Sequence, residues 1–192
     1  MDTTLPVMSH RRMHATLGVL ALVAAGILQG CIFVRTTDHR ILFHKDGSGE
    51  GIMRLIDIRS DASSEQDVRE DFDMLMKIYL GEGLEQFENA GRRITSKNLI
   101  VSGDTLTAEI RYGFTSRAVL GEMRATNEEM FVVIPADKVI GRTNGQVESF
   151  QGNARRIVWD VDVRRITYRI SEKTLPKSVS LAPLYLASQG RK

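Results

Sequence analysis

The fold is decided by one continuous stretch, which reads Asn98-Leu-Ile-Val-Ser102, Gly103-Asp104 and Thr105-Leu-Thr-Ala-Glu-Ile-Arg-Tyr-Gly-Phe114. The Gly-Asp pair is a turn signal between two runs rich in β-formers, which is typical of a β-hairpin. Apolar and polar residues alternate along the second run, so that one face carries Leu106, Ala108, Ile110, Tyr112 and Phe114. This period of two predicts an antiparallel strand that is buried on one face and polar on the other.

One longer helix is predicted over residues 63–80. Ser63 or Ser64 can cap its start, and acidic residues load its first turns, which suits the helix dipole. Apolar side chains recur at helical spacing and form one stripe, made of Val68, Phe72, Leu75 and Tyr79 with Met76 beside it. Gly81 follows and ends the pattern.

The remaining pattern is mostly strand. Strands are predicted over residues 32–44, 52–58, 130–134, 139–143, 146–150, 156–161 and 166–170, and short helices over 84–90 and 116–124. Lys45–Gly51 is predicted as a turn, and Asn144-Gly145 as the hairpin turn between 139–143 and 146–150. Residues from about 172 onward have no assignable pattern. We therefore expect one α+β domain over residues 31–192, with an antiparallel sheet, either flat or curved, and the helix 63–80 packed on one face.

Residues 1–30 have the three parts of a secretory signal peptide. Arg11 and Arg12 form a positive start, and a 14-residue apolar run follows from Ala15 to Leu28. That run is shorter than the roughly 20 residues of a spanning helix. The next residues, Leu28-Gln29-Gly30-Cys31, resemble the lipobox of bacterial lipoproteins, in which the signal peptidase recognises Leu28 and Gly30 and cleaves before the cysteine.

Cys31 is therefore expected to be lipidated and to anchor the chain to membrane lipid. Its sulfur accepts a diacylglycerol, and two or three acyl chains anchor a protein stably where one does not. The alternative is an uncleaved N-terminal membrane helix. Both place residues 32–192 outside the cytoplasm, and a lipid anchor places them in the cell envelope. Ile32 follows the cysteine where an aspartate would retain a lipoprotein at the inner membrane, so an outer-membrane location is expected if the organism is Gram-negative.

Composition agrees with one small exported domain. A length of 192 residues favours a single domain, and the one cysteine cannot form an internal disulfide. The net charge is +2, and removal of residues 1–30 leaves 24 basic and 23 acidic residues, a net of +1. Bulk charge therefore does not favour nucleic acid, which we do not expect as a partner.

No catalytic, metal or cofactor site is predicted in the mature chain. His39 and His44 are the histidines left after processing, and both are expected on the surface of an early strand, too few to bind zinc. Asp160 and Asp162 could form an acid–base or calcium-binding pair on one strand face, but a solvated strand end is the expectation. The chain has no Gly-x-Ser-x-Gly elbow, and we do not expect an enzyme.

A cationic segment near the end of the chain is the candidate binding site. It contains Arg155, Arg156, Arg164 and Arg165, with Arg169, interleaved with Trp159 and Tyr168. Such a segment could contact anionic lipid head groups or polyanionic envelope sugars. The alternative is a solvated arginine face whose aromatic side chains belong to the core.

Over most of residues 31–161 the chain resembles the LppM-type domain of bacterial lipoproteins. Shared features are the lipobox cysteine that leads directly into a strand, the Gly-rich turn Asp46–Gly51 and the hairpin that begins at Asn98. The similarity is closest at Ile134-Pro135, Val139, Thr143-Asn144-Gly145, Val147 and Val158-Trp159. The trailing transmembrane segment of some members has no counterpart here.

The resemblance implies a small envelope lipoprotein with an α+β domain, with hydrophobic or glycolipid ligands in some members and no enzymatic activity. We therefore expect a lipid- or glycolipid-binding domain whose ligand occupies an apolar cavity between helix 63–80 and strand 105–114. The alternative is a structural or interaction protein that binds another protein of the envelope.

Overall fold

The computed structural model describes residues 32–81 and 84–190. The predicted signal peptide and Cys31 lie outside the described residues, which form eleven β-strands and three α-helices. The strands are β1 (Ile32–Phe43), β2 (Gly49–Ser60), β3 (Arg92–Ser102), β4 (Thr105–Phe114), β5 (Met123–Ala125), β6 (Glu129–Ile134), β7 (Lys138–Thr143), β8 (Gln146–Ser149), β9 (Arg155–Asp160), β10 (Arg165–Glu172) and β11 (Val179–Ser180). The helices are α1 (Glu65–Leu80), α2 (Leu84–Asn89) and α3 (Ala182–Gln189), and a 3-10 helix covers Arg117–Val119.

The strands form two antiparallel sheets. The first sheet has the order β3-β4-β2-β1-β10-β7, and β11 pairs with the last residues of β2, beyond the part that pairs with β4. The second sheet has the order β5-β6-β9-β8. The α+β class with mainly antiparallel strands is thereby confirmed, but the strands are divided between two sheets, where the sequence predicted one.

The core has two parts, which lie on the same side of the first sheet. One part joins residues of the first sheet such as Ile41 and Tyr112 to Ile157 and other residues of the second sheet. The other part joins Ile58 to Phe72 of α1 and to the residues around the start of α3. The predicted apolar face of β4 is confirmed, since all five of its side chains are buried. Leu106, Ile110 and Phe114 each contribute about 1.5–3 kcal/mol to folding by this burial.

Helix α1 follows its sequence pattern closely. The Ser64 side chain accepts a hydrogen bond from the Asp67 amide at 3.1 Å, so the cap is the second of the two candidate serines. The apolar stripe faces the core, with Val68, Phe72 and Leu75 buried.

Asn144 and Gly145 do not form the predicted hairpin. Strand β7 pairs with β10 in the first sheet, whereas β8 pairs with β9 in the second, so the dipeptide connects the two sheets. The Asn144 carboxamide oxygen accepts hydrogen bonds from Trp159 Nε1 at 2.9 Å and from the Thr167 amide at 2.8 Å. A Cβ on Gly145 would lie 2.6 Å from the Trp159 ring, which explains the glycine. The hairpin signal was wrong because the Asn side chain bonds to both sheets instead of closing a local turn.

Two of the three glycines in the predicted turn 45–51 belong to a strand. Strand β2 begins at Gly49, and the rings of Phe114 and Tyr112 on β4 occupy the space that a Cβ on Gly49 or Gly51 would need. The predicted helix over 116–124 is reduced to the 3-10 turn and is followed by β5. The unassigned end of the chain contains β11 and α3.

Candidate functional site: an arginine-lined groove

The first sheet has a polar face on the side opposite its core. On β1, His39, Ile41 and Phe43 are buried in the interior, whereas Arg40 and Leu42 alternate with them and are more exposed. We call this second side the open face. Its polar side chains come from β4, β2, β1, β10 and β7, which the pairing places next to one another.

A row of charged residues crosses the open face. The register aligns Glu109 of β4, Arg54 of β2, Asp38 of β1, Arg169 of β10 and Arg142 of β7 on five neighbouring strands. Arg54 Nε donates to Glu109 Oε2 at 2.7 Å, and Asp38 Oδ2 accepts from Arg142 at 2.6 Å and from Arg169 at 2.5 Å. We call this set the charged row.

Both carboxylates of the charged row are buried and ionised. Burial is the largest influence on the pKa of Asp38 and raises it, but the hydrogen bonds and charges of Arg169 and Arg142 together outweigh burial and lower the pKa below its usual value. The pKa of Glu109 is lowered in the same way by Arg54 and Arg111, against the effect of burial. These two fixed negative charges hold the surrounding guanidinium groups in place.

A groove of about 480 Å³ lies beside the charged row on the open face. Its lining includes four arginines, Arg40, Arg111, Arg142 and Arg165, and one acidic residue, Glu50. Leu42 and Ile52, on the neighbouring strands β1 and β2, add an apolar part to the lining. The volume lies within the range of small-molecule sites, about 300–1,000 Å³.

The guanidinium groups of the groove have donors to offer to a ligand. The side chains of Arg40, Arg111 and Arg142 remain 45%, 50% and 51% exposed although each lies near a carboxylate. Arg165 is exposed and has no acidic partner within 4.0 Å among the described residues. A guanidinium has five N–H donors in a planar fork that fits carboxylate and phosphate oxygens. Together with Arg54 and Arg169, these four arginines face the three carboxylates of Glu50, Asp38 and Glu109, so six positive charges against three negative ones leave an excess of three and suit the groove to an anion.

The fold separates the arginines of the predicted cationic segment, and of its four candidate site residues one, Arg165, lines the groove. Arg165 lines the groove, whereas Arg164 precedes β10 and is exposed. Arg155 and Arg156 lie on β9 of the second sheet, where Arg156 is hydrogen-bonded to Glu148 at 2.9 Å and to Glu129 at 2.6 Å.

Sequence reasoning missed Arg40, Arg111 and Arg142. Each stands at a polar position of a different strand, where a solvated side chain is the ordinary expectation. Only the order and register of the strands bring these three side chains together.

The apolar cavity expected between helix 63–80 and strand 105–114 is small. A space of about 40 Å³ lies there, between Leu75 and Tyr79 of α1 and residues such as Leu55, Ala108 and Ile110 of the first sheet. It is far below the roughly 300 Å³ at the lower end of ligand sites. In the observed packing this interior does not accommodate an acyl chain.

His39 is buried, which corrects its predicted surface position. The side chain is 1% exposed and stacks on Tyr168, with ring centroids 4.5 Å apart and planes inclined by 7°. Neither ring nitrogen has a hydrogen-bond partner among the described residues. Burial, which is the largest cause, and the nearby charge of Arg92 lower the pKa of His39 to about 4, against a smaller opposing effect of Asp38. His44, by contrast, is exposed, as predicted.

The other residues singled out in the sequence have simpler positions. Asp160 and Asp162 are exposed at the end of β9, as expected for a solvated strand end. The described part of the chain contains no group of three or more side chains able to hold a metal ion. None of its helices combines the length and apolar character needed to cross a bilayer. Leu28, Gly30 and Cys31 lie outside the described residues.

Comparison with known proteins gives no relative from which a function could be transferred. The chain matches no protein-family model, and neither the curated proteins nor the solved structures contain a significant match to it. Its function must therefore be inferred from its own residues.

Proposed function

We propose that this protein is a lipoprotein of the bacterial cell envelope, anchored through acylated Cys31, whose domain binds the anionic head group of a lipid or glycolipid without catalysis. The observation that carries the proposal is the groove of about 480 Å³ lined by Arg40, Arg111, Arg142 and Arg165. The lipobox Leu28–Cys31 and the resemblance to LppM-type domains support the location, which is the outer membrane if the organism is Gram-negative.

The composition of the groove favours an amphiphilic anion. Guanidinium groups bind phosphate or carboxylate oxygens, and Leu42 and Ile52 offer apolar contact to the adjoining part of the ligand. We further propose that the first sheet curves around the open face and that the one main helix, 63–80, packs on the opposite side of this sheet. The ligand is placed on the open face, because the space between that helix and the sheet measures only about 40 Å³.

The groove residues support binding rather than catalysis. Arginine keeps its proton at every physiological pH, so these side chains can hold an anion but are poor proton acceptors or donors. The same chemistry could bind an acidic segment of an envelope protein, which is the alternative function. That alternative and the lipid proposal give different results in one experiment.

The experiment titrates the full-length protein, purified in a zwitterionic detergent, with short-chain phosphatidylglycerol and, separately, short-chain phosphatidylcholine. We expect the anionic lipid to bind and the zwitterionic lipid not to bind. The double variant Arg40→Gln/Arg165→Gln replaces two guanidinium groups with shorter, uncharged amides. Each charged donor contributes about 1.5–3 kcal/mol, so affinity should fall by roughly 100-fold or more.

A matched control is Arg124→Gln, which removes an exposed arginine from β5 of the second sheet and should leave the affinity unchanged. Equal affinity for both lipids, or an equal loss in the control, would contradict the proposal. Failure of the anionic lipid to bind, together with groove-dependent capture of an acidic envelope protein, would favour the alternative.

A further inference from the structure

The first sheet has an end that lies close to the proposed anchor. Strand β1 begins at Ile32, the residue that follows Cys31 in the sequence. Ile32 is 1% exposed and pairs with Ser60 of β2, which in turn pairs with Val179 of β11. Three neighbouring strands therefore start or end where acyl chains on Cys31 would enter the membrane.

The segment between β10 and β11 passes this end of the sheet. Strand β10 lies on one side of β1, and β11 lies on the far side of β2, so residues 173–178 must cross from one side to the other. The segment is tied at both ends. The Lys173 amide donates to the Asp137 carbonyl at 3.0 Å, and Arg59 donates to Ser178 Oγ at 3.1 Å and to its carbonyl at 3.2 Å. We call residues 173–179 the crossing segment.

The crossing segment combines exposed apolar and basic side chains. Leu175 is 42% exposed and Val179 is 49% exposed, while Lys173 and Lys177 are exposed beside them. The segment contains no acidic residue. Single exposed apolar residues are common on soluble domains, but apolar side chains next to lysines form the pattern that inserts at the surface of an anionic bilayer.

We propose that the crossing segment is a second membrane contact, which rests on the anionic surface of the bilayer in which Cys31 is anchored. This inference rests on the proposed lipidation of Cys31. The contact can be weak on its own, because the anchor holds the segment at the membrane and makes the second contact intramolecular. Two contacts at one end of the sheet fix the orientation of the domain, whereas a single lipid anchor would leave it free to rotate.

The orientation places the arginine groove away from the anchoring membrane. Arg40 lies eight residues along β1 from Ile32, which at roughly 3.3 Å per residue is about 26 Å. With the crossing segment on the bilayer, the groove faces the aqueous compartment of the envelope. Its ligand is then an anionic head group that extends well beyond the surface of the anchoring leaflet or that comes from outside it.

The test places a fluorophore at chosen positions of the full-length protein. Cys31 is the only cysteine of the chain, so once it is acylated an introduced cysteine is the only free thiol. Thr174→Cys labels the crossing segment, and Lys45→Cys labels the hairpin between β1 and β2, at the opposite end of the sheet. The labelled proteins are reconstituted into vesicles of equal parts phosphatidylglycerol and phosphatidylcholine that contain brominated lipid as a quencher.

The expected result is strong quenching at position 174 and none at position 45. The double change Leu175→Asp/Val179→Asp should abolish the quenching at 174, whereas Val147→Asp, a similarly exposed residue of the second sheet, should leave it unchanged. Equal quenching at both positions, or none at 174, overturns the membrane contact. Mass spectrometry of the same sample separates the two proposals, because absence of acyl chains on Cys31 overturns the lipoprotein itself.

Discussion

Acidification should destabilise this protein through His39, and the size of the effect follows from its burial. The pKa of this histidine is lowered from 6.5 to about 4 in the folded protein, so the unfolded chain binds the proton first. A lowered histidine pKa therefore stabilises the fold above about pH 6.5, and that stability is lost as the pH falls toward 4. A difference of about 2.5 pKa units at about 1.36 kcal/mol per unit gives a loss of roughly 3 kcal/mol.

The pH window distinguishes His39 from the carboxylates of the charged row. The pKa values of Asp38 and Glu109 are lowered from 3.8 and 4.5, so their contribution is present above those values and is lost only at more acidic pH. Any loss between about pH 6.5 and 4.5 therefore reports His39 rather than these two groups.

The assay is urea unfolding of residues 32–192 at a series of pH values, for the parent protein and for His39→Phe. Phenylalanine keeps an aromatic ring against Tyr168 but cannot be protonated, so the loss between pH 6.5 and 4.5 should disappear in the variant. A parent protein that lost no stability in that window, or a variant that lost as much as the parent, would contradict this role of His39.

Three further predictions concern the packing around the site. Asn144→Ala removes the acceptor of Trp159 Nε1 at the junction of the two sheets and should lower the free energy of unfolding by about 1–3 kcal/mol in urea titrations, and an unchanged midpoint would contradict that role. Gly51→Ala places a methyl group against the Tyr112 ring and should cost about 1–3 kcal/mol by the same assay, whereas a neutral effect would show that the ring moves aside freely. Asp38→Asn leaves two arginines without their buried carboxylate and should cost about 3–5 kcal/mol, seen as a lower melting temperature by circular dichroism, while a stability equal to that of the parent would argue against the charged row.

Features that depend on neighbouring residues along the chain could be predicted from the sequence. The apolar face of β4 and the stripe of α1 follow from periods of two and 3.6 residues, which are local properties. The Ser64 cap is local in the same sense. The division of the strands into two sheets is not local, and Asn144-Gly145 misled the prediction because a turn dipeptide does not reveal which strands its neighbours pair with.

The groove could be predicted only in part for the same reason. Arg165 was identified because it lies in a run of arginines, but Arg40, Arg111 and Arg142 are separated by up to 102 residues and meet through strand pairing. The buried position of His39 was missed because its neighbour Asp38, on the other face of the strand, is buried too. Ion pairs with arginines compensate the charge of Asp38, so a charged residue stands where the sequence pattern would suggest solvent. Alternation alone cannot distinguish such a position from a solvated one.

The arginine groove is proposed to bind an anionic lipid or glycolipid in a lipid-anchored protein. The most direct test of this proposal is mass spectrometry of the full-length protein purified from membranes of the producing organism, beside the variant Arg40→Gln/Arg165→Gln. We expect an acylated N-terminal Cys31 in both samples and a co-purified anionic lipid or glycolipid, near one per protein, that is lost from the variant. An acylated parent protein that carries no lipid ligand, or a lipid retained equally by the variant, would contradict it.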